Sequence, residues 1–572
     1  MKPVKHTDFL SYLLMESESY KNFDDIEKLV ESGVELSSLP LQPLYLSLRT
    51  TPADQLSMIL PKLSSEQRQA ILDIDVWQKD NLDIESFENW PLVFARCGDH
   101  KVVKEFARSN EFLLYLKSKF TVYTFDLENP QYPDHDNFFL TDDNQFLLEY
   151  DSELGCAKEV QFLVRMLFAD LGVEEANALL MRLINDSFYS FQEEIYQDKR
   201  NRLIDYGFVD YFDALEIRSA FPNLSTIDHY ISKKTATTGE IDAHSKNQSL
   251  HSTALLAFKK GLESIHESLE KVKSEKRIDY LQFNFVRLVN ANITLDDSLK
   301  EGSIAITRTG NKVRSKILLG YDYALRQSKN KNIFDVFDFT ELFKIGNSLI
   351  NLPKNKIKKS IENTPFEQDD FEYFMGQYWN TFVTDSMDDI PKLIHPRAEK
   401  AKEIATVELY EIWRERVETF VQILPFIKTF FETIQKLNKE GKLNDNFYLN
   451  YTVDNIDFES ILLSSFANFS LGNYQNKDVN KMGLTTSEFK KFIDAHFELV
   501  DGNHKLRASS DKNLQKKVQD FAEAYGFGVV KKFEAYLYEI LDENLSNYNF
   551  NDLKDEDFRH VGGPILLNTL KN

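Results

Sequence analysis

The stretch AKEVQFLVRMLFADLG, residues 157–172, decides the fold class. Val160, Leu163, Val164, Leu167, Phe168 and Leu171 recur at helical spacing and make one apolar face, and Gly172 supplies a helix stop. The next stretch repeats the pattern with Ala176, Leu179, Leu180, Leu183 and Ile184, and a third helix over 188–206 ends at Gly207. Three consecutive helices, the first two with an apolar face, predict a mainly α protein, and the rest of the chain reads outward from them as further modules.

Towards the N-terminus, residues 1–119 read as short helices joined by tight turns. Thr51, Pro52 and Asp54 offer a capping hydroxyl, a proline at the first helical position and a first-turn carboxylate. Ser64 and Gln67 have capping-box spacing ahead of Ala70, Ile71 and Ile74. Asp83 and Asp99 suit the starts of helices over 84–95 and 101–108. Helices starting roughly every 10–20 residues predict a solenoid-like module. Residues 120–151 change register. Phe120–Leu127 alternates and is rich in β-formers, and 138–150 reads as two strands around a turn, so a small β-hairpin element is expected there. It needs helices or a third strand for support.

Towards the C-terminus, 152–231 completes the helical module, and 232–253 has almost no large apolar side chain and reads as a flexible loop. A helical core module is expected over 254–445. It has polar or basic connections at 327–332 and 352–360, and a long amphipathic helix over 397–424 that Pro425 kinks or ends. Residues 446–572 read as a C-terminal helical module with turns such as Asp501-Gly502-Asn503.

Composition bounds the function. The 572 residues carry 45 Phe and 25 Tyr, enough aromatic area for large cores. A net charge of −23 argues against broad nucleic-acid binding, which depends on Lys and Arg neutralising phosphates. Two cysteines, Cys97 and Cys156, make no disulfide framework and suit a reducing compartment. The first 20 residues lack the pattern of a secretory signal, and no apolar run is long enough to span a membrane. A cytoplasmic location without membrane insertion is therefore expected.

The chemistry-bearing motifs are sparse. There is no phosphate-binding glycine loop and no nucleophile elbow. His266-Glu267-Ser268-Leu269-Glu270 has Glu270 where a zinc-protease helix needs its second histidine, so a solvated face is expected. Asp134, His135 and Asp136 are candidate metal ligands, but the same residues are ordinary turn formers. Asp454–Glu459 lacks the glycine and glutamate of a calcium loop and reads as a helix start. The two thiols are candidates for reactivity against the more common role of small buried apolar groups. Two basic clusters, Lys354/Lys356/Lys358/Lys359 and Lys505/Arg507/Lys512/Lys516/Lys517, lack interleaved aromatics and read as solvated faces. Glu194, Arg202, Asp205 and Glu216 surround the helix end at Gly207. They are either an ion-pair network that fixes the corner or the candidate catalytic residues of a binding site. No cofactor is expected.

Three stretches carry a resemblance. The first runs from Leu60-Pro61 through Ser64, Glu66, Gln67, Leu72, Asp73, Asp75 and Trp77 to Asp80 and Trp90. The second runs from Arg200 and Arg202 through Asp205, Gly207, Phe208, Asp210 and Tyr211 to Ile217, and the third from Phe558 to Leu567. Together they resemble a large uncharacterised bacterial family, a domain of unknown function, over nearly the whole chain. That resemblance implies a bacterial cytoplasmic protein and brings no activity. The first stretch is also similar to the helical-repeat cytosolic domain of bacterial magnesium transporters, which implies an α-solenoid and nothing about magnesium.

The expected function is a protein-interaction or scaffold role carried by helical surfaces, with a protein partner. Two alternatives stay open. One is a hydrolase or transferase with a carboxylate/Arg site between modules, and the other is nucleic-acid binding through a local basic patch. Oligomeric state is not specified.

Overall fold

In the computed structural model the described residues are 41–239, 263–328, 332–362, 369–394, 401–442, 456–473, 483–507, 511–524 and 531–551, with scattered positions in 31–39, 364–365 and 565. The fold is mainly α, with only short antiparallel strand pairs. The chain divides into two compact units. One comprises residues 1–221 and 225–347, the other 222–224 and 348–572.

Unit 1 begins with short helices: α1 (Leu41–Leu48), α2 (Ala53–Ile59) and α3 (Ser65–Asp75). Ser64 and Gln67 form the capping box expected of them. Thr51 does not cap α2; its hydroxyl bonds back to the Ser47 carbonyl, and Pro52 takes the position before the helix. A two-residue turn joins β1 (Trp77–Gln78) to β2 (Asn81–Leu82). Then come α4 (Ile84–Phe87), α5 (Asn89–Ala95), α6 (His100–Ala107) and α7 (Asn110–Lys119). Their core is a run of rings, with Phe94 and Phe106 stacked at 3.9 Å and Phe87 against Tyr115 at 4.6 Å. The β element is a three-stranded antiparallel sheet: β5 (Phe146–Tyr150) lies between β3 (Phe120–Thr124) and β4 (Phe138–Leu140). The third strand supplies the support that a lone hairpin lacks.

The deciding stretch is α8 (Ala157–Leu171), followed by α9 (Val173–Asn185), α10 (Phe188–Asp205), α11 (Tyr211–Ile217) and α12 (Leu224–Lys233). Val160, Leu163, Val164 and Leu167 are all buried, while Phe168 is only half-buried. Further helices are α13 (Glu263–Leu269), α14 (Glu275–Leu295), α15 (Ser298–Glu301), α16 (Ser303–Gln327) and α17 (Phe339–Ile361). The loop expected at 232–253 begins inside α12, and its 240–253 portion lies outside the described residues.

The basic segment 352–360 is not a connection but the second half of α17, which runs through Pro353. Leu349, Pro353 and Ile357 recur at helical spacing on a buried face, and that apolar stripe outweighs the lysines between them.

Unit 2 continues with α18 (Asp369–Met387) and the strand pair β6 (Lys392–Ile394) and β7 (Ala401–Glu403), then α19 (Val407–Lys439). The expected helix over 397–424 is thus displaced. Ala401 pairs with Ile394 in the strands, Thr406 caps the helix, and α19 passes Pro425 and continues for four turns. The remaining elements are α20 (Phe458–Leu471), α21 (Thr486–His496), β8 (Phe497–Val500), β9 (Asn503–Leu506), α22 (Lys512–Ala524) and α23 (Lys531–Leu545). Asp501 and Gly502, both at positive φ, make the β8–β9 turn. Two buried tryptophans centre this core. Trp379 Nε1 donates to the Tyr536 hydroxyl and Trp413 Nε1 to Ser386 Oγ. Among the described residues no helix is long and apolar enough to cross a membrane.

Candidate functional site in unit 1

The site is built at the end of α10. Gly207, at φ +81°, lets the chain turn left-handed. Its N–H reaches Ile204 O, and the Phe208 N–H reaches back to Leu203 O at 3.1 Å, the paired bonds of a Schellman stop. Helix α14 pins the corner: Asn290 Nδ2 donates to Gly207 O at 2.6 Å and Thr294 Oγ1 to Val209 O at 3.0 Å.

The β1–β2 hairpin docks on the same helix. Gln192, Tyr196 and Lys199 share a face of α10 through their spacing of four and three residues. Gln192 Nε2 donates to Asp80 O and Asn81 Oδ1, and Lys199 Nζ to the carbonyl of Lys79 at 3.1 Å. Lys79 itself is left-handed, at φ +58°, at the hairpin tip. From α15, Lys300 Nζ donates to Trp77 O at 2.8 Å.

These contacts border a half-open cavity of about 190 Å³. Its wall is largely apolar, including Ile74, Leu203, Val209, Ile293 and Leu299. Lys199 faces it with its ammonium over two rings, 5.1 Å from the centroids of both Trp77 and Tyr196. Burial pushes its pKa down to about 8 against the pull of Asp73 and Asp210. Both of those carboxylates are engaged elsewhere. Asp210 accepts from the Tyr196 hydroxyl at 2.6 Å and caps α11 through the Phe212 N–H.

Asp73 is bidentate with Arg202: Nε and Nη2 each donate at 2.8 Å to one carboxylate oxygen. Arg202 Nη2 also reaches Glu111 Oε1 of α7 at 2.8 Å. Asp73 and Glu111 are both buried, and Arg202 is partly open. Burial and the Asp73 charge push the Glu111 carboxyl up to about 7, against the opposing pull of Arg202. This triad separates two spaces. Asp73 lines the Lys199 cavity, while Arg202 and Glu111 line a polar hollow of about 400 Å³ that also contains Arg68, Glu105 and Arg108.

The four residues expected as one cluster are not brought together. Glu194 is exposed and pairs with Arg182. Arg202, eight residues on, sits about 12 Å along the helix and rotated by about 80° from it, and turns to Asp73 and Glu111 instead. Glu216 is exposed on α11, and the Asp205 side chain lies outside the described residues. The partners that matter, Asp73 and Glu111, are distant in sequence, so corner residues alone did not point to them. The first and second resemblance stretches nevertheless contain Asp73, Trp77, Arg200 and Asp210, which the fold sets around this cavity, and Arg202, which holds Asp73 from behind. Lys199 and Glu111 carry no motif.

The other candidates have local roles. His135 Nε2 meets Glu149 Oε1 at 2.9 Å and its Nδ1 accepts the Asn137 N–H, while Asp134 and Asp136 point to solvent. Among the described residues no three His, Cys, Asp or Glu side chains converge as a metal site requires. Cys97 and Cys156 are buried, burial pushes both thiols up, and Cys156 Sγ lies 3.2 Å from the Tyr115 hydroxyl. Lys354 donates to the Asp388 carbonyl and Lys356 pairs with Glu418. Lys505, Lys512 and Lys516 are exposed. The 558–567 stretch lies outside the described residues, Ile565 apart.

Fold and site together define a mainly α protein with a lysine-faced cavity in its first unit. The chain belongs to the family of unknown function DUF6178, which it matches over residues 12–566. No curated protein and no solved structure matches it, and the similarity to the magnesium-transporter domain finds no support there.

Proposed function

We propose that the protein works by binding, and that the Lys199 cavity is its small-molecule site. One observation carries this reading: a half-buried ammonium faces a largely apolar cavity with no carboxylate paired to it among the described residues. Burying an uncompensated charge opposes folding, so such groups concentrate where a ligand uses them. The expected enzyme reading is weakened at Arg202, whose guanidinium is already shared between two buried carboxylates. A thermal-shift screen of the full chain against a library of small metabolites tests the proposal. Ligands near 100 times Kd should add about 2.7 kcal/mol of stability. Their effect should vanish in Leu203→Trp, which fills the cavity. A library whose hits all survive that substitution, or that yields none, overturns the reading.

A protein partner remains the second reading, and exposed apolar side chains favour it. Met181 and Ile184 on α9 are exposed, and Tyr189 at the start of α10 is 81% exposed. A stoichiometric partner recovered from native lysate by the wild type and lost with Tyr189→Asp would support it. Equal recovery by both would exclude this surface.

A further inference from the structure

We infer that the ligand of this cavity is a small organic carboxylate with an apolar body about the size of a benzene ring; this rests on the cavity being the ligand site. Size comes first. A cavity of about 150 Å³ accepts benzene, and this one is about 190 Å³. That leaves room for a ring or branched chain and one small polar end. The wall of Ile74, Leu203, Val209, Ile293 and Leu299 suits the body.

The polar end is chosen by an unmatched donor. Lys199 Nζ carries three protons and gives one to the Lys79 carbonyl. Trp77 also lines the cavity, is 3% exposed, and offers its ring face 5.1 Å from that ammonium. A group that only accepts suits the two remaining Lys199 protons, and a carboxylate is the smallest such group with a charge to match.

The charges facing the cavity agree. Lys79, Lys199, Arg200 and Lys300 stand against Asp73, Asp210 and Asp297. Arg202 takes both oxygens of Asp73. Asp210 accepts from Tyr196 and Phe212 and lies 3.9 Å from Arg200. Burial pushes the Asp297 carboxyl up, and neighbouring Lys300 opposes that by favouring its charged form. Lys199, and Lys79 over the Tyr211 ring, then face one further carboxylate, Asp80 of the hairpin, so the surroundings stay cationic by one charge. A cationic ligand would oppose them, and a neutral alcohol would leave the ammonium unmatched.

Calorimetric titration of the full chain with benzoate, benzyl alcohol and benzylamine tests this. Benzoate should bind at least tenfold tighter than either analogue. Its affinity should fall about tenfold between pH 7 and pH 9.5 as Lys199 loses its proton. Lys199→Met should weaken benzoate at least tenfold and bring it level with benzyl alcohol. Should that variant fail to fold, Lys199→Gln removes the charge while keeping a donor and should weaken benzoate but not benzyl alcohol. Benzyl alcohol or benzylamine binding as tightly as benzoate overturns the carboxylate assignment and leaves the cavity as a ligand site. Failure of all three probes also overturns the assignment. Failure of the cavity reading itself is distinct: it shows as library hits insensitive to Leu203→Trp.

Discussion

Glu111 and Lys199 are titratable groups held away from their ordinary ranges by burial, in opposite senses. Glu111 rises from 4.5 to about 7, so between those values the folded chain holds a proton that the unfolded chain has released. Its contribution is present below the unfolded pKa and is lost as pH climbs through 7. Glu111→Gln keeps an acceptor for Arg202 and should gain on the order of 1–3 kcal/mol at pH 8, with little change at pH 4.5. Urea midpoints at both values check it, and a gain of equal size at both would exclude the charge as the cause. Lys199 falls from 10.5 to about 8, so stability should rise between pH 8 and 10.5, where only the unfolded chain keeps the proton. Lys199→Met should therefore be neutral or stabilising by about 1 kcal/mol at pH 7 while it loses ligand. Marked destabilisation would mean that the Lys79 carbonyl bond and ring contacts outweigh burial. Neither shift is legible in sequence, because both depend on side chains far along the chain.

Among the elements, α16 and α17 are held by a contact that glycine alone permits. A Cβ on Gly320 would lie 1.9 Å from Leu342 O, and one on Gly346 1.9 Å from Lys316 O. The two backbones touch directly. Gly320→Ala should cost about 3 kcal/mol, since backbone rather than a flexible side chain must move. A loss under about 0.5 kcal/mol in chemical denaturation would show that the helices slide freely. Ser64→Ala, which dismantles a capping box at α3, should cost only about 1 kcal/mol. The box was readable because its spacing is local. The start of the long helix was not: pairing of Ala401 with Ile394 depends on a partner strand, and it moves the start to Val407. At 352–360, burial of Pro353 and Ile357 depends on what packs there, and overrides the basic composition.

For the molecule as a whole, the Asp73–Arg202–Glu111 triad ties α3, α7 and α10 of unit 1 together. Arg202→Met should cost about 3–5 kcal/mol, because two carboxylates are left buried without a cation. The loss should shrink at acid pH as Glu111 takes up its proton, and a loss independent of pH would contradict the assignment. Local signals alone determined much of this protein: a mainly α chain, helices ending at Gly172 and Gly207, and a small β element after Phe120. Caps, apolar periodicity and glycine stops act over a few residues, so they survive in a one-dimensional reading. Tertiary structure alone decided which polar groups meet. Asp73 finds Arg202 across 129 positions, and Trp77 of β1 is covered by a lysine of α10. Charge pairing and burial depend on distance in space, which chain order does not encode, so the cavity and its unmatched lysine emerge only once the helices are packed.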